Sequence, residues 1–345
     1  MSLKKLVTAL LATATLAACQ GQNAGQSSQE NQNSEANYKI AMVTDGNGVD
    51  DRSFNQSAWE GMQVWAKNNQ LPESAVQYYQ SSSENDFLPN LNTAIQDQYD
   101  IIYGIGFMLT DSVAEMADQH PDQKFGLLDA NIEGKDNVVS ITFADNESAF
   151  LAGVAAASQS KTNKIGFVGG QSTPAVDKFE IGYIAGAKSV KPDIEIDVQY
   201  TQSFTDAGVA QQIASAMFAN GSDVIFHAAG GAGNGVNTEA RNRLESGQNK
   251  DIWVIGADRD QHAEGEYKGG NFMLTSTLKH LGKAIEDETN AAMKDEYHGG
   301  QHIVSNLENG GVGIVKDYLP AEVLTAVEKA EQDILSGAIK IPESK

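Results

Sequence analysis

From Tyr38 almost to the end of the chain, short apolar runs alternate with amphipathic stretches. The runs that read as strands cover 39–44, 75–79, 101–104, 125–128 and 138–143, then 165–169, 196–201, 224–228, 253–257, 273–276 and 312–316. Most are too short and too uniformly apolar for helices, and they have the look of strands buried on both faces. Between them, Ala58, Met62, Trp65 and Ala66 recur at i, i+4, i+7 and i+8, one face of a helix. Stretches of the same kind cover 87–98, 147–159, 177–190, 207–219, 234–246, 279–293 and 321–336. Such alternation predicts parallel sheets with helices on both faces. Roughly ten strands predict two sheets rather than one.

In sheets of that kind ligands bind beyond the carboxyl ends of the strands. The residues found there are Asp45 with Gly46-Asn47-Gly48, Gly104-Ile105-Gly106-Phe107, Asp129, Gly169-Gly170-Gln171, Ser203-Phe204, Gly230-Gly231-Ala232-Gly233, Asp258-Arg259-Asp260 and Thr277-Leu278-Lys279. None is a nucleophile beside its base. Phe54, Phe107, Phe179 and Phe204 lie at or near strand-to-helix junctions. Their alternatives are core packing or stacking on a base or sugar, the latter worth about 1–3 kcal/mol per base. The carboxylates of Asp45, Asp129 and Asp258 are acceptors for hydroxyls or ring N–H groups. Lys279 is either a donor to a ligand or a solvated helix start.

Three motifs fail on inspection. Asp45 to Asp51 is not an EF-hand loop, because Val49 and Asp50 stand where that loop needs a ligand and a glycine. It also lacks the Asp-x-Asp opening of nucleoside hydrolases, since Val43 precedes Asp45 by two. As a binding loop it leads into a helix capped by Ser53 or Asn55. The Gly230–Gly235 turn has Ala232 and Val236 where a dinucleotide fingerprint needs glycine. It is left as a plain helix entry or a place where backbone at Gly230 or Gly231 approaches a ligand closely.

Charge and termini narrow the class. The net charge of −22 excludes nucleic acid and a basic membrane-binding face as partners. None of the six histidines has zinc-site spacing, so no metal and no cofactor is expected. Residues 1–18 carry Lys4, Lys5 and an apolar run from Leu6 to Ala17, too short for a membrane span, and read as a signal peptide. The single cysteine, Cys19, follows Leu16-Ala17-Ala18 and resembles the lipobox of bacterial lipoproteins, with Cys19 as the lipidated residue. Residues 20–37 read as a flexible tether. The expectation is an exported protein held by a lipid to the outer face of a bacterial cell membrane.

Asp45-Gly46 with Asp50-Asp51-Arg52-Ser53-Phe54-Asn55-Gln56, Gly104–Phe107, Glu147-Ser148-Ala149-Phe150-Leu151-Ala152-Gly153, Phe179-Glu180-Ile181-Gly182-Tyr183, Ser203-Phe204 and Gly256-Ala257-Asp258 together resemble the basic membrane protein family of lipoproteins, whose PnrA-type members serve ABC importers. The resemblance spans about Tyr38 to Gly337. It implies an α/β, type I periplasmic-binding-protein fold with two doubly wound parallel-sheet lobes joined by three hinge crossings. The lobe limits are then 38–143 plus 277–306, and 144–276 plus 307–345. It also implies a monomeric binding protein, not an enzyme, that delivers purine nucleosides such as guanosine, adenosine and inosine to ABC permease subunits. A sugar or other small solute is the alternative cargo, and nucleoside hydrolysis the remote one. By the resemblance, Phe54 and Phe204 sandwich the base with Phe179 nearby. Asp258, Lys279 and backbone at Gly230 or Gly231 take the ribose, and Asp45, Asn55 and Asp129 meet the base edge.

Overall fold

The computed structural model describes residues 38–344; the leader, Cys19 and the tether lie outside the described residues. Ala36–Lys345 form one unit. Its first part runs β1 (Ile40–Val43), α1 (Phe54–Asn68), β2 (Val76–Tyr79), α2 (Phe87–Gln96), β3 (Ile101–Ile105), α3 (Thr110–Gln119), β4 (Lys124–Leu128) and β5 (Val138–Phe143). The second runs α4 (Asp145–Gln159), β6 (Lys164–Gly169), α5 (Pro174–Val190), β7 (Glu195–Tyr200), α6 (Ala207–Ala219), β8 (Val224–Ala228), α7 (Asn234–Glu245) and β9 (Trp253–Gly256). A small hairpin, β10 (Glu266–Tyr267) and β11 (Gly270–Asn271), leads to β12 (Met273–Lys279), α8 (Leu281–Ala292), β13 (His302–Ser305), β14 (Val312–Ile314) and α9 (Ala321–Leu335).

Two six-stranded sheets result, in the orders β13-β5-β4-β3-β1-β2 and β14-β12-β9-β8-β6-β7. The first is parallel throughout. The second is parallel except at its edge, where β14 runs antiparallel to β12. In both, the strand order reverses beside the first strand, between β1 and β3 and between β6 and β8, which opens a crevice at the carboxyl ends. The chain passes from one sheet layer to the other three times: β5 to α4, β12 to α8 and β13 to β14. This is the two-lobed α/β architecture expected from the sequence.

Period-two alternation explains why each strand is apolar on both sides. Ile40 and Met42 pack with Met62, Trp65 and Ile285, while Ala41 and Val43 pack with Leu91 and Val113 on the opposite face. In the second sheet, Ile165 and Phe167 face Val154 and Tyr183, and Val168 faces Ala214 and Val236. The small residues of the Glu147–Gly153 and Phe179–Tyr183 motifs serve close helix packing. A Cβ on Gly186 would lie 2.0 Å from the Phe150 carbonyl oxygen, and one on Gly153 2.1 Å from that of Tyr183. Gly186→Ala therefore forces α4 and α5 apart and lowers stability by about 1–3 kcal/mol. A urea titration checks this, and an unchanged midpoint would contradict the packing argument.

The structure departs from the sequence reading in places. The strand expected over 273–276 continues to Lys279 because 277–279 pair with 312–314. The expected lobe limit between 276 and 277 thus falls inside β12. Helix α8 begins at Leu281 rather than 279, and α5 begins at Pro174, with Thr173 accepting from the Val176 N–H. Helix α3 and strand β13 have no counterpart among the expected elements. Only Val113, Met116 and Ala117 are buried in α3, and only Ser305 in β13, so neither leaves a strong apolar pattern.

Candidate functional site

The loop after β1 is braced by its own acidic residues. Asp45 Oδ1 accepts from the Asn47 N–H at 2.8 Å and from Asn55 Nδ2 at 2.9 Å. The expectation that Ser53 or Asn55 caps α1 is corrected. Asp51 does so, its carboxylate accepting from the N–H groups of Ser53 (2.8 Å), Asn55 (3.0 Å) and Gln56 (3.1 Å). A carboxylate there satisfies orphan N–H groups and faces the positive end of the helix. Ser53 is thereby free to send its hydroxyl across the cleft, where Oγ donates to Asp258 Oδ2.

The second sheet answers from the far side. Gly230 has φ +54°, which an L side chain rarely adopts, and this turns the chain so that backbone borders the cavity. The Ala232 N–H donates to the Phe204 carbonyl at 2.8 Å, fixing the loop that carries that ring. Gly170 lies beneath it, and a Cβ there would sit 2.4 Å from the ring edge. Asp129 (φ 65°) and Asp258 (φ 72°) follow β4 and β9, in the two different sheets, and both adopt the left-handed conformation that aspartate tolerates better than most residues.

Lys279 joins these elements. Its side chain is 3% exposed, and Nζ lies 2.8 and 3.1 Å from the two Asp129 oxygens and 3.1 Å from Asp145 Oδ2. The rings of Phe54, Phe143 and Phe179 stand 5.2, 5.2 and 5.3 Å from it, within cation–π range. The solvated-helix-start alternative is thus excluded. Burial works against the ammonium, but Asp129, Asp145 and Asp258 outweigh it together and hold its pKa above the usual lysine range. Burial also pushes up the Asp145 carboxyl, more than Lys279 draws it down, and raises Asp258 against the pull of Lys279 and Ser53. Asp45 is pushed up to about 6 by burial, with its Asn47 and Asn55 hydrogen bonds opposing.

These side chains border a cavity of about 570 Å³, counting its opening, between the two sheets. Asp45, Phe54, Phe107 and Asp129 reach it from the first, and Phe179, Phe204, Gly230, Asp258 and Lys279 from the second. Asn55 does not border it; the side chain stands behind, donating to Asp45 and to Asp51 at 3.0 Å. Gly231 is also off the wall, with Asn47 Oδ1 2.8 Å from where its Cβ would be. Asn47, Asp51, Thr173 and Val176 line the cavity without having been singled out, and Asp145, 1% exposed, completes the charge cluster unanticipated. Asp51 was visible as part of the Asp-Asp-Arg-Ser-Phe-Asn motif, and Thr173-Pro174 carried a helix-start signal.

Further contacts close the walls. Gln261 Nε2 donates to the Arg52 carbonyl at 2.8 Å, Asn234 Nδ2 to that of Asp51 at 3.2 Å, and Lys178 Nζ to that of Phe143 at 3.1 Å. Phe107 and Phe204 meet edge to face at 6.2 Å. Among the described residues no cluster of His, Cys, Asp and Glu fits a metal ion, and no helix is long and apolar enough to cross a membrane.

Two doubly wound lobes that close a buried, polar and aromatic cavity between them define a solute-binding protein of the periplasmic-binding-protein type. A solute-binding protein of an ABC transport system from Aeropyrum pernix shares this fold at TM-score 0.77, with 24% identity, covering 89% of this chain and 94% of that one. The chain belongs to the family of PnrA-like ABC transporter substrate-binding proteins, whose family model matches residues 38–345. The ABC transporter nucleoside-binding protein BmpA of Lactococcus lactis is 45% identical over 342 residues, 97% of this chain and 96% of that one. A CD4+ T-cell-stimulating antigen of Listeria monocytogenes is 46% identical over 319 residues, 90% of this chain and 89% of that one. The protein is therefore a substrate-binding component of an ABC transporter and not an enzyme.

Proposed function

We propose that this protein is exported, anchored through a lipid on Cys19, and captures purine nucleosides such as guanosine, adenosine and inosine for delivery to ABC permease subunits. The observation that carries the reading is the cavity, which combines phenyl rings from both lobes with carboxylates around one buried ammonium. Phe54 and Phe204 stack on the base. Asp258, the Gly230 backbone and the remaining Lys279 N–H take the ribose hydroxyls. Asp45 accepts from the base edge, and Asn55 serves by holding Asp45 in place. The lobes are 38–143 plus 277–306 and 144–276 plus 307–345, adjusted so that β12 stays whole. Their closure around the ligand, in a monomer, presents one surface to the permease. The nucleoside-binding name of the Lactococcus relative supports the cargo class.

The test is to identify what the protein carries. Protein purified from growing cells is denatured, and the released small molecules are identified by mass spectrometry. A purine nucleoside in near-stoichiometric amount supports the reading; a sugar in its place would give the cavity to another solute.

Two further results are expected. Cys19→Ala moves the protein from the membrane fraction to the soluble fraction, and retention in the membrane would contradict the anchor. Binding also weakens in acid. A ligand N–H needs the ionised Asp45 carboxylate, and the free protein holds that group at about 6. Lowering the pH through that value makes the ligand displace a proton, so affinity at pH 5 falls about tenfold below that at pH 7. Asp45→Asn flattens this dependence; an undiminished slope in that variant assigns the titration elsewhere.

A further inference from the structure

Beyond Asp45 and Asn47 the space between the lobes continues. A second void of about 690 Å³, counting its opening, shares Asp45, Asn47 and Phe204 with the nucleoside cavity. Ser83 and Glu84 border it from the first lobe, and Gln171, Gln202, Ser203 and Thr205 from the second. Its chemistry differs from that of the cavity. Hydroxyls and amides replace the phenyl rings, apart from Phe204 and Met108 at the join. The charged residues on its walls, Asp45 and Glu84, are both acidic, with no lysine or arginine. Among the described residues Glu84 has no ion-pair partner. The second-lobe wall is held in place, with Gln171 Nε2 donating to the Gln202 carbonyl at 3.3 Å and Ser203 Oγ accepting from the N–H groups of Thr205 and Asp206 at 3.1 Å.

We propose that this void is an annex to the binding site, and that the protein takes base-substituted purine nucleosides whose substituent is hydrophilic and neutral or cationic. The inference rests on the nucleoside reading above, in which the base edge faces Asp45. A substituent leaving that edge beside Asp45 and Asn47 enters the annex rather than packed protein. There it finds hydrogen-bond partners and, for an ammonium tip, the Glu84 carboxylate. A carboxylate tip meets two like charges and no counter-charge, which costs affinity. An alkyl tip gains little, since the annex offers it few apolar partners.

Calorimetric titrations with four derivatives test this beside adenosine and guanosine. Adenosine carries a 2-aminoethyl or a carboxymethyl group on its 6-amino nitrogen, and guanosine carries the same groups on its 2-amino nitrogen. At least one aminoethyl derivative is expected to bind within about tenfold of its parent, and its carboxymethyl counterpart at least about tenfold weaker than the amine. Glu84→Gln narrows that gap between amine and carboxylate. The annex is overturned if both aminoethyl derivatives lose more than about tenfold while the parents bind, or if the carboxylate binds as well as the amine. Parents that do not bind at all overturn the nucleoside reading itself, an outcome distinct from the first two.

Discussion

Lys279→Met is expected to abolish ligand binding and to lower stability by about 3–5 kcal/mol at neutral pH, the cost of leaving buried charges without their partner. Asp129, Asp145 and Asp258 surround the ammonium, and Asp145 is 1% exposed. Without Lys279 these carboxyls must take up protons or remain as uncompensated buried charge. Burial already raises Asp145 and Asp258 above their ordinary values, and loss of the cation raises them further. A carboxyl whose folded pKa lies above its unfolded value binds more protons in the folded state. Its contribution to stability is complete below the unfolded pKa and is lost as pH rises through the folded one. The variant therefore regains stability between pH 7 and pH 5 more steeply than the parent protein does. Thermal unfolding across that range checks it. A variant as stable as the parent at pH 7 would show that Lys279 does not hold the cluster together.

Phe54→Ala and Phe204→Ala are each expected to weaken nucleoside binding by about 1–3 kcal/mol, and together by the sum when the rings contact opposite faces of the base. Both rings are only partly buried and sit at the margins of their lobe cores, so folding survives their loss. Phe179 makes the contrast. It is buried, 5.9 Å from Phe226 and part of the second lobe's core. Phe179→Ala thus loses stability as well as affinity, by about 3–5 kcal/mol on the scale of core phenylalanines. Denaturation midpoints and titrations on all three variants separate the two roles. Parental affinity in both Phe54→Ala and Phe204→Ala would remove the stacking assignment.

The fold was largely legible because parallel strands buried on both faces leave unbroken apolar runs, as at Ile40–Val43 and Val224–Ala228. Strand β13 left no such run, being an edge strand with His302 and Val304 exposed. The ends of β12 and α8 were misjudged because pairing with β14, a non-local contact, decides where β12 stops. The cavity residues were readable from position alone, since topology sends whatever follows each strand to the same crevice. The partnerships there were not. That Asp51 rather than Ser53 caps α1, and that Asn55 supports Asp45 instead of facing the ligand, depends on side-chain geometry within a short loop. Asp145 reads in sequence as an ordinary acidic residue in a first helical turn. Only the passage from β5 to α4, close to the end of β12, sets it against Lys279.

The central claim is that the closed cavity holds a neutral purine nucleoside. Calorimetric titration tests it most directly, on protein unfolded and refolded to remove carried-over ligand, with guanosine, adenosine, inosine, cytidine, ribose and guanosine monophosphate in parallel. The account predicts saturable one-to-one binding of the purine nucleosides and silence from ribose. It also predicts that the monophosphate binds at least about 100-fold more weakly, because its charge would enter a cavity lined by carboxylates. Binding of ribose or another sugar with no response to any nucleoside would contradict it.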